Sequence, residues 1–360
     1  MSRCGRNPCD LVIIQQTDFS LQKKSDLKMA VERNKLVKGI GAGLVLYLLI
    51  AGGVGIYWSI TPDPFDVEES AMDYLRVERD QLATGAVVTS SLMKVMETLL
   101  HKSGGYISND KFPPGLWLDN ISNWEFGVLV QVRDLSGVLR DNLSRSQSQS
   151  TEDRDLALVE PQFNFNSNSW ILPASESEYK KGLEALNRYL VRLSDQGQGD
   201  AQFYARADNL RGWLATIEVR LGSLSQRLSA SVGQRRLNTD LAGDPDAAQS
   251  TQRATELEVK TPWLEIDDVF YEARGTAWAL THLLKAAQID FADVLEKKNA
   301  SVSLEQIIRE LEASQEALYA PMILNGSGFG VLANHSLVMA SYISRANSAI
   351  INLRELLSQG

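Results

Sequence analysis

The pattern of apolar and polar positions changes once along the chain, near residue 60. From Ile40 to Ile60 run 21 residues without a charged side chain. At the rise of an α-helix this run spans a hydrocarbon core of ~30 Å, so it predicts a transmembrane helix. A cleavable signal peptide is the competing interpretation, but its apolar region is shorter and Trp58-Ser59-Ile60 is not a small-x-small cleavage site. We therefore expect an uncleaved anchor.

Basic residues lie almost entirely on one side of this run. Six lysines and arginines lie between Lys23 and Lys38, whereas the twenty residues after the run hold only Arg76 and Arg79 among seven acidic residues. Cations near a span stay on the cytoplasmic side of the membrane. The sequence therefore predicts a single-pass protein of a bacterial inner membrane, with a cytoplasmic N-terminus and a periplasmic C-terminal domain.

Beyond Thr61 the apolar residues recur at spacings of three, four and seven, and strand-like alternation is nearly absent. The first helix of this part is predicted from Asp66 to about His101. A capping box formed by Ser175 and Glu178 predicts the start of a later one. The pattern indicates an all-α fold, in which a single N-terminal transmembrane helix is followed by a periplasmic helical bundle of about seven helices.

The same pattern divides the chain into segments. Residues 1–28 show no sustained period, and Met29 begins a compact basic stretch, so we hypothesise that Met29 is the real or an alternative start. The predicted segments are a basic cytoplasmic tail at 1–39, the transmembrane helix at 40–60, a helical region at 61–230, a linker or long loop at 231–262, and a C-terminal helical region at 263–360 that packs on the first.

Charge narrows the classes of partner. The net charge of the whole chain is -9. The first 60 residues carry +4, so residues 61–360 alone carry -13. An acidic surface of this size repels phosphate backbones, so nucleic-acid binding is not expected. The predicted partners are the lipid bilayer and a protein of the cell envelope.

Small residues in the span offer one further contact. Gly39, Gly43, Ala51 and Gly55 lie on one ridge of four-residue spacing that only Tyr47 interrupts, which would let another helix approach closely. Glycine is also common in membrane helices generally. The sequence leaves these two interpretations open.

The residues that metal sites require are sparse. The chain has three histidines, none in a His-x-x-x-His pair, and both cysteines, Cys4 and Cys9, fall in the predicted tail. The sequence therefore predicts no metal site, no cofactor and no disulfide in the exported part.

Two short patterns are weak candidates for catalysis. Ser91 and Lys94 match Ser-x-x-Lys of penicillin-recognising enzymes, but the accompanying motifs are missing. Glu69-Ser70 and Glu176-Ser177 are similar to the Glu-Ser of lytic transglycosylases, and no Gly-Leu-Met-Gln segment follows either. We expect both glutamates to be exposed carboxylates in the first turns of helices. No catalytic residue is predicted.

Two loops stand out by composition. Asn325 to Gly330 contains three glycines without the G-x-G-x-x-G spacing or a preceding strand, so it is expected to be a flexible turn. The loop from Phe163 to Trp170 is rich in aromatic residues and asparagine. Its aromatic side chains would either contact a ligand or partner, or plug the bundle, and the sequence favours neither.

Three motifs carry a resemblance to a known family. They are Thr61-Pro62-Asp63-Pro64-Phe65, the segment Pro113-Pro114-Gly115-Leu116-Trp117-Leu118-Asp119-Asn120, and Asn123-Trp124-Glu125-Phe126-Gly127 with Gln131-Val132-Arg133-Asp134. With one basic-flanked span before them, they resemble an uncharacterised family of single-span proteobacterial envelope proteins. The resemblance covers most of residues 30–360. It implies an inner-membrane location and assigns no catalytic residue.

Together these observations predict a membrane-anchored periplasmic scaffold or protein-interaction module of the cell envelope. Two alternatives remain. A peptidoglycan-active lytic enzyme with a helix-borne glutamate predicts a buried carboxylate at the base of a groove. A ligand-sensing helical ectodomain predicts a pocket between helices.

Overall fold

The computed structural model divides the chain into two compact units, Met1–Ile56 and Tyr57–Gly360. It describes residues 8–146, 151–195, 197, 200–237, 256–318, 323–325 and 334–359. The side chains before Met29, including both cysteines, lie outside that description, and so does the predicted glycine-rich turn beyond Asn325.

The first unit consists of most of one long helix, α1 (Pro8–Trp58). Its portion Glu32–Trp58 is the one described helix long and apolar enough to cross a membrane, a property that a membrane span and a signal sequence share. The apolar side chains from Leu36 to Ile50 are largely exposed to the surroundings. The portion Glu32–Trp58 includes nearly all of the predicted span at 40–60.

The second unit is built from helices, which confirms the predicted all-α class, and 72% of the described residues are helical. Ten α-helices follow α1 in the described residues: α2 (Val67–Leu75), α3 (Ala86–His101), α4 (Asp119–Val138), α5 (Leu156–Phe163), α6 (Ser175–Ser194), α7 (Ala207–Ser229), α8 (Ile266–Asp290), α9 (Ala292–Lys297), α10 (Ser301–Ala313) and α11 (His335–Ser358).

The structure has more helices than the predicted seven. Some predicted helices contain a break, and the spacing of apolar residues continues across the break, so the sequence pattern does not reveal it. The stretch predicted as one helix from Asp66 to His101 is two, since α2 ends at Arg76 with φ 55° and α3 starts after Gly85 with φ 90°. At Gly85 a Cβ would collide with the ring of Phe203. Leu82, between the two helices, still packs on the core, so the spacing of apolar residues continues across the break.

The structure adds detail at two places. The segment 231–262, predicted as a linker or long loop, contains an antiparallel pair of strands, β1 (Gln234–Leu237) and β2 (Glu256–Val259), with residues 238–255 outside the description. The predicted capping box at Ser175 is wrong. The buried Ser175 hydroxyl donates to the carbonyl oxygen of Asn166 and accepts the amide of Ser169, so it does not cap α6.

Helices α4 and α8 pack most extensively, and their first turns lie together. Asn123 Nδ2 donates to Asp268 Oδ1 at 2.7 Å. One turn further along both helices, a Cβ on Gly127 would collide with the carbonyl oxygen of Glu272, so the two backbones approach as closely as glycine allows. The two helices therefore run parallel, and their N-terminal ends lie at the same end of the bundle.

Candidate functional site

Large apolar side chains gather on the surface at the end of the bundle where α4 and α8 begin. Phe112, Leu116 and Trp117 precede α4; Trp170, Ile171 and Leu172 precede α6; Trp263 and Leu264 precede α8. Their exposed fractions range from 46% for Trp170 to 91% for Leu172. Isolated exposed apolar residues are normal, but a contiguous group marks an interaction site. We call these eight residues the aromatic end.

Side-chain contacts tie the two larger loops of the aromatic end together. Asn109 Nδ2 donates to the carbonyl oxygen of Ser169 at 2.9 Å and to Glu176 Oε2 at 2.7 Å. The rings of Phe112 and Trp170 stack edge-to-face with centroids 5.6 Å apart. These contacts join residues about sixty positions apart in sequence, so the exposed side chains are held by tertiary structure and not by one loop alone.

A buried ion pair supports the loop before α4. Lys102 Nζ lies 2.7 Å from Glu125 Oε1, and their side chains are 1% and 0% exposed. Glu125 also accepts hydrogen bonds from the backbone amides of Ile107 and Ser108. Burial raises the pKa of Glu125, while Lys102 and these hydrogen bonds act in the opposite direction. The pair fixes the start of the loop that ends in Trp117.

The tryptophans of the second unit separate into two groups. Of the seven in the chain, Trp124, Trp213 and Trp278 are buried in the core. Of the other four, Trp117, Trp170 and Trp263 belong to the aromatic end, and Trp58 is partly buried against the core. A Cβ on Gly104 would lie 2.6 Å from Trp58 Cγ, so Trp58 packs at the start of the loop before α4.

Acidic residues surround Trp263 and Leu264. Asp119 and Asp267 line a small cavity with these two apolar residues. Burial, followed by the charges of Asp267, Asp119 and Glu265, raises the pKa of the neighbouring Asp268 to about 6. This part of the surface therefore carries less negative charge in mildly acidic conditions.

The aromatic loop predicted from Phe163 to Trp170 divides its side chains between the core and the surface. Phe163 is fully buried and Phe165 packs against the core, so these two residues plug the bundle. Trp170 is 46% exposed and belongs to the aromatic end. The loop thus connects the core to the surface.

The candidate catalytic residues do not come together. Glu69 is exposed in the first turn of α2, and Glu176, in the first turn of α6, is only partly exposed and accepts the bond from Asn109. Ser91 is buried in α3, whereas Lys94 is partly exposed. In the described residues no three histidine, cysteine or acidic side chains are grouped as a metal site would require.

Asp290 is the carboxylate nearest to what a lytic enzyme needs. It lines a cleft of 460 Å³ together with Glu68 and Arg79. Burial raises the pKa of Asp290 to about 7. Its two oxygens accept the backbone amides of Gly85 and Val88 at 2.8 and 2.7 Å. These are the contacts of a helix cap, and they hold the first turn of α3.

A second cavity, of 390 Å³, lies among α8, the end of α10 and the start of α11. Arg274 lines it, and its guanidinium donates to the carbonyl oxygens of Ser314, Gln315 and Glu316. Burial lowers the pKa of Arg274. The arginine therefore satisfies the carbonyl groups at the end of α10.

The fold and the site define a class of protein in which an apolar helix leads into an all-helical domain with a rigid apolar surface at one end. Residues 31–360 match the model of a family described as an uncharacterized protein conserved in bacteria (DUF2333). The chain belongs to this family, as the resemblance of its motifs indicated. Neither a curated protein nor a solved structure matches it.

Proposed function

We propose that this protein is a membrane-anchored interaction module of the bacterial envelope. In this proposal α1 is an uncleaved inner-membrane anchor, the N-terminus is cytoplasmic and the helical domain is periplasmic. The cations that precede the apolar run, and the acidic residues that follow it, support this orientation. The contact of α1 with a second helix through Gly39, Gly43, Ala51 and Gly55 remains a prediction.

The observation that carries the proposal is the aromatic end. A domain that acts by binding exposes a rigid apolar surface, and the two loops that carry six of the eight side chains are held by the Asn109 and Lys102 contacts described above. A catalytic domain instead needs a reactive group free to meet its substrate. Asp290, the best candidate among the described residues, is engaged as a helix cap.

Each alternative has one observation in its favour. The raised pKa of Asp290, beside a cleft, is what glycan cleavage would use. The 390 Å³ cavity beside Arg274 is large enough for a small ligand, as sensing would require. Both are secondary to the interaction proposal, because in each case the charged group already has a structural role.

Crosslinking in intact cells tests the proposal. A photoreactive amino acid replaces Leu172 in the full-length chain, and a matched variant carries it at Val302, which is 77% exposed in α10 and outside the aromatic end. We expect a reproducible adduct, of lipid or protein, at position 172 and none at 302. Equal yields at both positions would show that the aromatic end is not a binding surface.

A further inference from the structure

We propose that the aromatic end rests on the periplasmic surface of the same bilayer that α1 crosses, with its exposed side chains among the lipid headgroups and upper acyl chains. This inference deepens the proposed function and rests on it, since it requires an uncleaved anchor and a periplasmic domain. The occupant of the surface would then be lipid and not a second protein.

The path of the chain is the first argument. Trp58 is the last residue of α1 and packs at Gly104, which starts the loop that carries Phe112 and Trp117. Gly104 and Phe112 are eight positions apart in the sequence, and extended chain spans at most about 3.6 Å per residue. Lys102 and Ile107, on either side of Gly104, both contact Glu125 in the second turn of α4, so Trp58 packs near the end of the bundle where α4 begins.

The connector that follows α1 is short and joins the core. Within the second unit Phe65 N donates to His282 Nε2 at 3.1 Å, and the two rings stack with centroids 4.1 Å apart. Pro62 and Pro64 further restrict the backbone between Trp58 and Phe65. The chain thus enters the core of the second unit within seven residues of Trp58.

The chemistry of the exposed side chains is the second argument. Tryptophan prefers the membrane–water interface because its ring is apolar and its N–H is polar. The three exposed tryptophans among the described residues, Trp117, Trp170 and Trp263, are all at this end, and leucine, isoleucine and phenylalanine accompany them. Aliphatic and aromatic side chains in this combination are typical of surfaces that insert shallowly into a bilayer.

The charged residues near the aromatic end indicate whether it would contact lipid through its headgroup charge or through its apolar part. Lys111 is exposed beside Phe112, but Asp119, Asp267 and Glu265 flank Trp263. Because these acidic residues outnumber that cation, attraction to anionic headgroups is not what holds the aromatic end. The apolar contact and the tether through α1 supply the association, since a tether makes the second contact intramolecular.

Quenching in nanodiscs tests this inference on the full-length chain. Cys4 and Cys9 are replaced by serine, and an environment-sensitive fluorophore is attached to Leu172→Cys, with Val302→Cys as the matched control. The discs contain phosphatidylethanolamine and phosphatidylglycerol, with a nitroxide placed at the headgroup or at the bilayer centre. We expect the headgroup nitroxide to quench position 172 several-fold more than position 302.

A second labelled position, Leu116→Cys, protects the test against a failure of one variant to fold. Circular dichroism must show the same helicity for all three labelled chains. If positions 116 and 172 are quenched no more than 302, the lipid inference is wrong. A protein adduct at 172 in cells without quenching in discs would overturn the lipid inference and leave the interaction module standing. A cytoplasmic location of the domain would remove both.

Discussion

Removing the ammonium of the buried ion pair is the sharpest test of how the aromatic end is supported. Lys102→Met leaves the fully buried Glu125 carboxylate without its cation, and it also removes the 2.8 Å bond from Lys102 Nζ to the carbonyl oxygen of Gly105. Breaking a buried pair in this way costs about 3–5 kcal/mol of unfolding free energy. We expect the lower part of this range, because Ile107 and Ser108 still donate to Glu125.

The assay is chemical unfolding of the full-length chain in detergent micelles, followed by circular dichroism. Lys111→Met in the same loop is the control, because Lys111 is exposed and is expected to cost less than about 0.5 kcal/mol. The deficit of Lys102→Met should shrink as the pH falls, because an unpaired buried Glu125 takes up a proton in the folded state before the unfolded chain does. A deficit within about 1 kcal/mol of the control would refute the reasoning.

Three further predictions concern the core and the caps. Gly127→Ala should cost about 1–3 kcal/mol in chemical unfolding because its Cβ collides with α8, whereas Gly137→Ala on the same helix meets open space and should gain up to about 1 kcal/mol. Asp268→Asn should raise the unfolding temperature above about pH 6, where the aspartate is charged, and the gain should vanish below about pH 4, where it is protonated in both states. Asp290→Asn should lower the unfolding free energy by about 1 kcal/mol near pH 5, where the carboxyl group of the folded chain is neutral, because the amide retains only one oxygen for Gly85 and Val88. The deficit should shrink as the pH rises through about 7, where the buried aspartate becomes charged at a cost that asparagine avoids.

For each of these three predictions, one result would contradict it. Equal effects of the two glycine substitutions would mean that α4 and α8 are not in close contact. A pH-independent effect of Asp268→Asn would mean that its carboxyl group has an ordinary pKa. Loss of murein cleavage in Asp290→Asn, with the fold intact by circular dichroism, would favour the lytic alternative over a capping role.

The all-α class was predictable because it depends on local periodicity. The division of the first predicted helix into α2 and α3 was not predictable. Leu82 lies between these two helices but still packs on the core, so the apolar spacing shows no gap there. The break itself depends on the Asp290 carboxylate, about two hundred residues away, which accepts the amides at the start of α3. Such a long-range cap has no local signature in the sequence.

The aromatic end was predictable only in part. The loop from Phe163 to Trp170 was recognised as aromatic, but which rings are buried is decided by contacts with Asn109 and Arg133 from other parts of the chain. Trp263 was not identified, since its proximity to the start of α4 follows from the parallel packing of α4 and α8.

One signal for the buried ion pair was present in the sequence. Glu125 lies next to Trp124 in α4, among the residues that this helix buries. A charged side chain at a buried position requires a partner, because burying an unpaired charge is costly. The identity of that partner was not predictable, since Lys102 lies in the preceding loop and its approach to Glu125 depends on the packing of α3 against α4.

The central claim is that one apolar helix crosses the membrane and leaves the helical domain in the periplasm. Reporter fusions after Gly360 test it most directly, one active only in the cytoplasm and one active only after export. The account predicts activity of the exported reporter alone, in the membrane fraction and at the mass of the uncleaved chain. Activity of the cytoplasmic reporter, or release of a shortened soluble domain, would contradict it.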